Sequence, residues 1–301
     1  MKLSLDALIV LESIHRNGSF AAAAEELHRV RSALTYTVQT LERDLDITLF
    51  DRSGHRAKLT EMGKVLLQEG MELLKTASNL ERLIKRLKSG WEEEIYIAVD
   101  DIISIPRLFP LLETYYQECT LTRLHITSEI LNGCWDALAS GRVDLAIGVS
   151  GDAPTGNEYG LIKLGQIKFG FAVSPTHPLA RLREPLKLSD IEPYRSIIAG
   201  DTSRKFPVRS SGVISGEESL IVSTMQAKIA AQVRGLGVGY LPLHLISSEL
   251  RNNQLIIKKI EKEKPSANLS LAWRIHEAGK AVEWFLEKLK NPKIVRFLLE
   301  G

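Results

Sequence analysis

The sequence predicts a two-part α/β protein: a helical N-terminal segment of about 90 residues, then some 210 in which strands and helices alternate. Three observations carry this. Apolar residues recur at helical spacing through the first 45 positions. Residues 61–89 form one long helical pattern with an apolar seam, broken once at Gly70. From Trp91 onward, short apolar runs alternate with helical stretches, the texture of an α/β fold with a largely parallel sheet.

Composition sets the outer bounds. A chain of 301 residues has room for two or three domains, and 44% hydrophobic with 25% charged residues excludes disordered and fibrous chains. Basic residues number 39 against 37 acidic, so any nucleic-acid surface has to be local. Residues 1–90 carry 14 basic and 12 acidic groups and the rest 25 of each, which puts the excess in the helical half. Two cysteines, Cys119 and Cys134, exclude a disulfide scaffold and are read as buried, inert thiols rather than a redox pair. No run approaches the ~18 apolar residues of a membrane span. Asp6 and Glu12 interrupt any signal-peptide core. The expectation is a soluble bacterial protein of the cytoplasm, without membrane contact.

Taken in order, the first helix rests on Leu5, Leu8, Ile9, Leu11 and Ile14 and stops at Asn17-Gly18. Ser19 is the expected N-cap of a second helix, Phe20 to Leu27, whose four alanines allow close helix approach. After a short break comes a third, Arg31 to Leu45, with Ala33, Leu34, Val38, Leu41 and Leu45 on its apolar face. Two short helices joined by a tight turn are a helix-turn-helix. Residues 47–52 and 57–60 flank the basic turn Ser53-Gly54-His55-Arg56 and are read as a hairpin, or wing. The long helix then opens at Thr60-Glu61-Met62-Gly63. Its seam Leu66, Leu73, Ala77, Leu80, Ile84 and Leu87 advances by 7, 4, 3, 4 and 3 residues, a coiled-coil spacing suited to dimerisation. The plainer alternative is a helix packed on its own domain. Candidate strands follow at 95–99, 124–127, 143–147, 169–173, 196–199, 238–241 and 269–273.

Gly18 to Leu27 and Ser32 to Glu42, continued by Leu49-Phe50-Asp51-Arg52 and Leu59-Thr60, resemble the DNA-binding signature of LysR-type transcriptional regulators. Gly141 to Gly148 and Gly235 to Pro242 are similar to motifs of that family's effector domain. The resemblance implies a winged helix-turn-helix over 1–60 and a dimerising linker helix over 61–89. Over 90–301 it implies a two-lobed, periplasmic-binding-protein-like α/β effector domain. Lobe I would be 90–162 with 268–301, and lobe II 163–267. The implied function is a sequence-specific regulator, activator or repressor, whose activity responds to a small molecule between the lobes.

The third helix offers Arg31, Ser32, Thr35, Tyr36 and Gln39 on the face opposite its core, residue types that pair with base edges in the major groove. Arg31 stands where the family more often has an amide, and Tyr36 where it has a basic residue, so half-site preference should differ. Ser19 joins this DNA-binding set. Arg52, His55, Arg56 and Lys58 on the wing suit phosphate and minor-groove contact, the alternative being ordinary surface charge. Partners on this reading are double-stranded promoter DNA, a second copy of the chain in a homodimer or homotetramer, and, further out, RNA polymerase.

Ligands of open α/β sheets bind beyond the carboxyl ends of strands. That places Asp100, Asp101, Ser104, Glu129, Gly148, Ser150, Asp201, Thr202, Ser203, Arg204 and Thr224 as effector contacts, with helix capping the alternative for several. Three carboxylates facing Arg204 as the lone cation favour an amine or nucleoside over a dicarboxylate. Catalysis is not expected. No two of the seven histidines have metal-ligand spacing, and there is neither a nucleophile elbow nor a phosphate loop, so no metal or cofactor is assigned. The rivals to a regulator are a binding module with a vestigial DNA-binding half and an enzyme on the same frame.

Overall fold

The computed structural model describes residues 2–51, 57–119, 122–154, 158–209, 218–261, 264 and 266–300. In the long helix it describes all side chains but those of residues 79, 82, 83 and 85–89. The chain divides into two compact units, Met1–Lys85 and Arg86–Gly301.

In the first unit, α1 (Leu5–Asn17) starts on Ser4, whose hydroxyl accepts the Ala7 N–H at 3.1 Å. It stops at Gly18, whose left-handed φ of 68° suits glycine. α2 (Phe20–Glu26) begins likewise on Ser19, which accepts the Ala22 N–H at 3.1 Å, and buries Ala23 and Ala24. α3 (Arg31–Leu45) buries Leu34, Val38 and Leu41 in the same core as Val10, Leu11 and Ile14. Leu5 and Ile9, expected on the core face of α1, are exposed, and Ala7 and Val10 take that face. Every residue from Ala7 to Leu11 is apolar, so periodicity could not choose between the two sides.

β1 (Phe50–Asp51) pairs antiparallel with β2 (Lys58–Leu59), Phe50 opposite Leu59. Glu42 in α3 ties the hairpin down by accepting the Leu49 N–H at 2.7 Å. α4 (Glu61–Ser89) has 29 residues and spans roughly 43 Å. Thr60 starts it, accepting the Gly63 N–H at 3.0 Å. A Cβ on Gly63 would lie 2.4 Å from the Leu49 carbonyl oxygen, so only glycine lets the helix begin against the hairpin.

The second unit runs β3 (Glu94–Asp100), α5 (Phe109–Glu118), β4 (Arg123–Glu129), α6 (Gly133–Ala139), β5 (Leu145–Val149) and β6 (Tyr159–Ile167). Then come β7 (Phe169–Val173), α7 (Leu188–Ile191), β8 (Ser196–Ala199), β9 (Ser219–Val222), α8 (Met225–Val233) and β10 (Gly239–Pro242). It closes with α9 (Ser247–Arg251), β11 (Ile256–Lys258), β12 (Ala267–Arg274), α10 (Lys280–Lys288) and α11 (Pro292–Glu300). A five-stranded sheet has the order β4-β3-β5-β12-β6, a three-stranded one the order β10-β7-β11, and β8 pairs with β9.

The sheets are mixed rather than largely parallel. β3 is parallel to β4 and β5, but β12 is antiparallel to β5 and β6, and β7 is antiparallel to both its neighbours. The chain leaves the first sheet along β6 and returns along β12, and this exit and return make the antiparallel edge. β6, β9 and β11 were not among the expected strands; β6 is an edge strand carrying Gly160, Lys163, Gly165 and Gln166, which dilute the apolar alternation. Residue 163, the expected lobe boundary, lies inside β6, which pairs with β12 from Tyr159 to Ile167. The crossing to the second sheet is therefore at Lys168. The first sheet packs Ile95, Ile97, Leu145 and Ile147 against Tyr115 and Phe285, and the second builds on Phe171, Val173 and Val238.

Candidate functional site

The outer face of α3 is built by its inner one. With Leu34, Val38 and Leu41 in the core, Arg31, Ser32, Tyr36 and Gln39 are exposed, Tyr36 to 68%. Thr35 is half-buried and donates its hydroxyl back to the Arg31 carbonyl at 3.0 Å. Ser19 spends its oxygen on the cap of α2. The neighbouring arginines are tied inward. Arg29 forks onto Asp6 at 2.8 and 2.9 Å, and Arg16 bridges Glu12 and Glu26. Hydrogen bonds from Arg16, Ser13 and Asn17 hold the Glu26 carboxyl down at about 2. Arg43 lies 3.5 Å from Asp44. Arg31 forms no ion pair among the described residues. Lys58 is exposed on β2, while Arg52, His55 and Arg56 lie outside the described residues.

Along α4, Leu73, Leu80 and Ile84 are 49%, 59% and 59% exposed, and Ala77 between them is half-buried. Leu66 behaves differently: together with Leu67 it packs on the helix-turn-helix core, because the first two turns of α4 lie against that core. The uncovered stripe thus begins at Leu73. The Leu87 side chain lies outside those described.

The second unit holds a cavity of about 480 Å³. Strand ends of the first sheet supply Asp100, Asp101, Ile130 and Ser150, and the second sheet with its helix supplies Phe169, Ala199, Met225, Lys228 and Tyr240. The returning segment adds Lys264 and Asn268, and Arg209 stands at the rim. Of the expected effector contacts, only Asp100, Asp101 and Ser150 line it. The other eight are placed elsewhere. Glu129 is buried, accepting from Arg142 at 2.6 Å and from the Thr202 hydroxyl. Thr202 also accepts the Ile130 N–H at 2.9 Å. Asp201 accepts the N–H groups of Ser203 at 2.8 Å and Arg209 at 2.7 Å. The Ser203 hydroxyl goes to the Phe206 carbonyl. Thr224 caps α8 by accepting the Ala227 N–H at 3.0 Å. Ser104 precedes a short 3-10 turn, and Gly148 at φ 93° sits against Ile103. Arg204 is exposed and does not line the cavity. Glu129 and Thr202 tie the loop after β4 to the loop after β8, while the others serve local turns and caps or face solvent; strand-end position alone could not separate those roles from ligand contact.

The electrostatic expectation is corrected with them. The cavity is lined by three cations, Lys228, Lys264 and Arg209, and not by Arg204. Lys228 is 3% exposed, and burial, with the charge of Lys264, brings its pKa down to about 8. Burial likewise lowers Lys264 to about 8, where its ammonium lies 4.0 Å over the Phe169 ring. Asp100 is pushed up to about 7 by burial, against the Ile102 N–H that its oxygen accepts at 3.1 Å. Asp101 is engaged on both oxygens, by the Ser128 hydroxyl at 3.0 Å and by the N–H of Met225, the first residue of α8. Sequence reasoning missed Lys228, yet a signal existed: Met225, Ile229 and Gln232 form a helical stripe, and Lys228 falls on it. Lys264, in a charged loop, gave none. Cys119 and Cys134 are buried free thiols, both raised by burial.

A helix-turn-helix with a hairpin, a long helix and a mixed α/β unit with a cavity between its sheets define a ligand-responsive DNA-binding protein. The family model for bacterial regulatory helix-turn-helix proteins of the lysR family matches residues 5–64, and the LysR substrate binding domain matches residues 88–291. The chain belongs to the LysR family of transcription regulators. It is 41% identical over 289 residues to the uncharacterized HTH-type transcriptional regulator YeeY of Escherichia coli K12, covering 96% of this chain and 94% of that one. It is 32% identical to the HTH-type transcriptional regulator PunR of the same organism, covering 94% and 91%. Among solved structures, full-length CbnR complexed with its target DNA superposes with a TM-score of 0.63 at 17% identity, over 96% of this chain and 99% of that one. The protein is thus a transcription regulator with a DNA-binding and an effector-binding domain, not an enzyme. No helix among the described residues is long and apolar enough to cross a membrane.

Proposed function

We propose that this regulator reads promoter DNA in the cytoplasm with the outer face of α3. Arg31, Ser32, Thr35, Tyr36 and Gln39 face base edges, and Ser19, Arg52, His55, Arg56 and Lys58 hold the backbone. What supports this is the pairing pattern: Arg16, Arg29 and Arg43 are matched to carboxylates, and Arg31 is kept for a partner outside the protein. The chain then works as residues 1–60 on DNA, 61–89 in assembly and 90–301 in sensing, with the lobe crossing moved to Lys168. Two copies join along Leu73, Ala77, Leu80, Ile84 and Leu87, as a dimer or a pair of dimers, and RNA polymerase is the partner met at the promoter.

The effector is taken up by the cavity, whose 480 Å³ lies within the ~300–1,000 Å³ of small-molecule sites. Occupancy shifts the population of arrangements of the two sheets and thereby the spacing of the DNA-reading helices. The assembly is tested by Leu80→Asp with Ile84→Asp in the full chain. Sedimentation should give monomers that no longer retard a two-half-site duplex selected from random sequence. A double variant that still sediments as a dimer sinks the stripe.

A further inference from the structure

Resting on the reading that this cavity takes the effector, we propose that its ligand is a small organic carboxylate with an apolar body, its charge held by Lys228 with Lys264 beside it. Lys228 is 97% buried by the measure of its 3% exposure, and it lines the cavity. Among the described residues no hydrogen bond or ion pair engages its ammonium. A buried charge without a partner is strongly unfavourable, and α8 holds this one on a stripe whose other members are apolar or amide. The charge of Lys264 disfavours this ammonium further, so among the described residues Lys228 has no internal counter-charge.

The opposing carboxylates do not cancel this. Asp101 is engaged by Ser128 and the start of α8. Asp100 is held toward its neutral form by burial, so it meets a ligand as a hydrogen-bond donor as readily as an anion. Arg209 and Asp152, both exposed, also line the cavity, and the Arg209 guanidinium is bonded to Asn132 at 3.2 Å. The buried charge left without a partner among the described residues is that of Lys228. The cavity is also lined by Phe169, Tyr240, Met225, Ile130 and Leu131, which are apolar or aromatic. They suit the body of an aromatic or branched acid better than a sugar or a second charge.

The probes are benzoate, phenylacetate and hexanoate, set against benzamide, adenosine and putrescine, in thermal-shift and calorimetric titrations of the full chain. The carboxylates should stabilise the protein, and benzamide, which matches benzoate in size and shape but is neutral and carries an NH2 donor, should not. Lys228→Met should raise the melting temperature of the free protein and weaken benzoate at least about tenfold. Lys163→Met, on exposed β6, should leave benzoate binding intact. Equal binding of benzamide and benzoate, an undiminished benzoate affinity in Lys228→Met, or no shift from any carboxylate at about 10 mM overturns the proposal. Ala199→Trp, which fills the cavity, separates the two readings. If adenosine or putrescine binds and Ala199→Trp abolishes it, the carboxylate is wrong and the effector site stands. If binding of every active probe survives Ala199→Trp, the site itself is wrong.

Discussion

Helices α3 and α8 each carry a cation that no group among the described residues neutralises, and they do so in opposite settings. Arg31 stands on an exposed face at the start of α3, solvated, at little cost to folding. Lys228 stands inside, three residues into α8, where water is largely excluded and folding is opposed. The difference separates two kinds of recognition. An exposed cation attracts a polyanion over a Debye length and is screened by salt, so it suits DNA. A buried one acts only on what enters its cavity, and the stability it forfeits when alone is recovered when a counter-charge arrives.

The largest effect that would sharpen this contrast is in stability against pH. Lys228 and Lys264 titrate near 8 when folded, below the 10.5 of an unfolded lysine, so between those values the unfolded chain holds protons that the folded one has released. Stability from these groups therefore rises as pH goes from 8 to 10.5, by up to about 3 kcal/mol for each lysine. Urea titrations should show a clearly shallower rise in Lys228→Met, and Arg31→Met should run parallel to the parent. A parallel curve for Lys228→Met would break the comparison.

Next in size is sequence reading. Arg31→Ala or Gln39→Ala should cost about 1–3 kcal/mol on a duplex selected from random sequence while affinity for unselected DNA stays nearly constant. Fluorescence anisotropy on both duplexes checks it, and equal losses would reduce Arg31 to a phosphate contact. The smallest effect is on the hairpin. Lys58→Ala should weaken binding on every duplex alike and lower the slope of log affinity against log salt by about one. An unchanged slope would leave Lys58 as ordinary surface charge.

The same contrast governs how much was legible in the sequence. The bounds of α3, the cap at Ser19 and the stop at Gly18 depend on neighbours within four residues, and they were readable to the residue. The outer face of α3 followed, because an exposed face is whatever the apolar stripe leaves over. In the cavity, Glu129 meets Thr202 across 73 positions and Asp101 meets α8 across 124, and no local pattern encodes such pairings. Strand ends were found, but which of their polar side chains turn to each other and which to a ligand is decided by the second sheet. Lys228 shows the converse failure. Its place on a buried stripe with Met225, Ile229 and Gln232 was visible, but a helical stripe does not tell what a lysine on it faces.

The bond from Asp101 to the start of α8 has a consequence for what the cavity ignores. A helix N-terminus is a standing invitation to any carboxylate or phosphate. Here the protein answers it with a carboxylate of its own, fixed in place by Ser128. Such a tethered group competes at an effective concentration on the order of millimolar or above. Free acids at ordinary metabolite levels cannot displace it by charge alone. The N-terminus of α8 is thereby closed to the general background of anions, which leaves Lys228, one turn further along the helix, as the place where α8 meets a charged ligand.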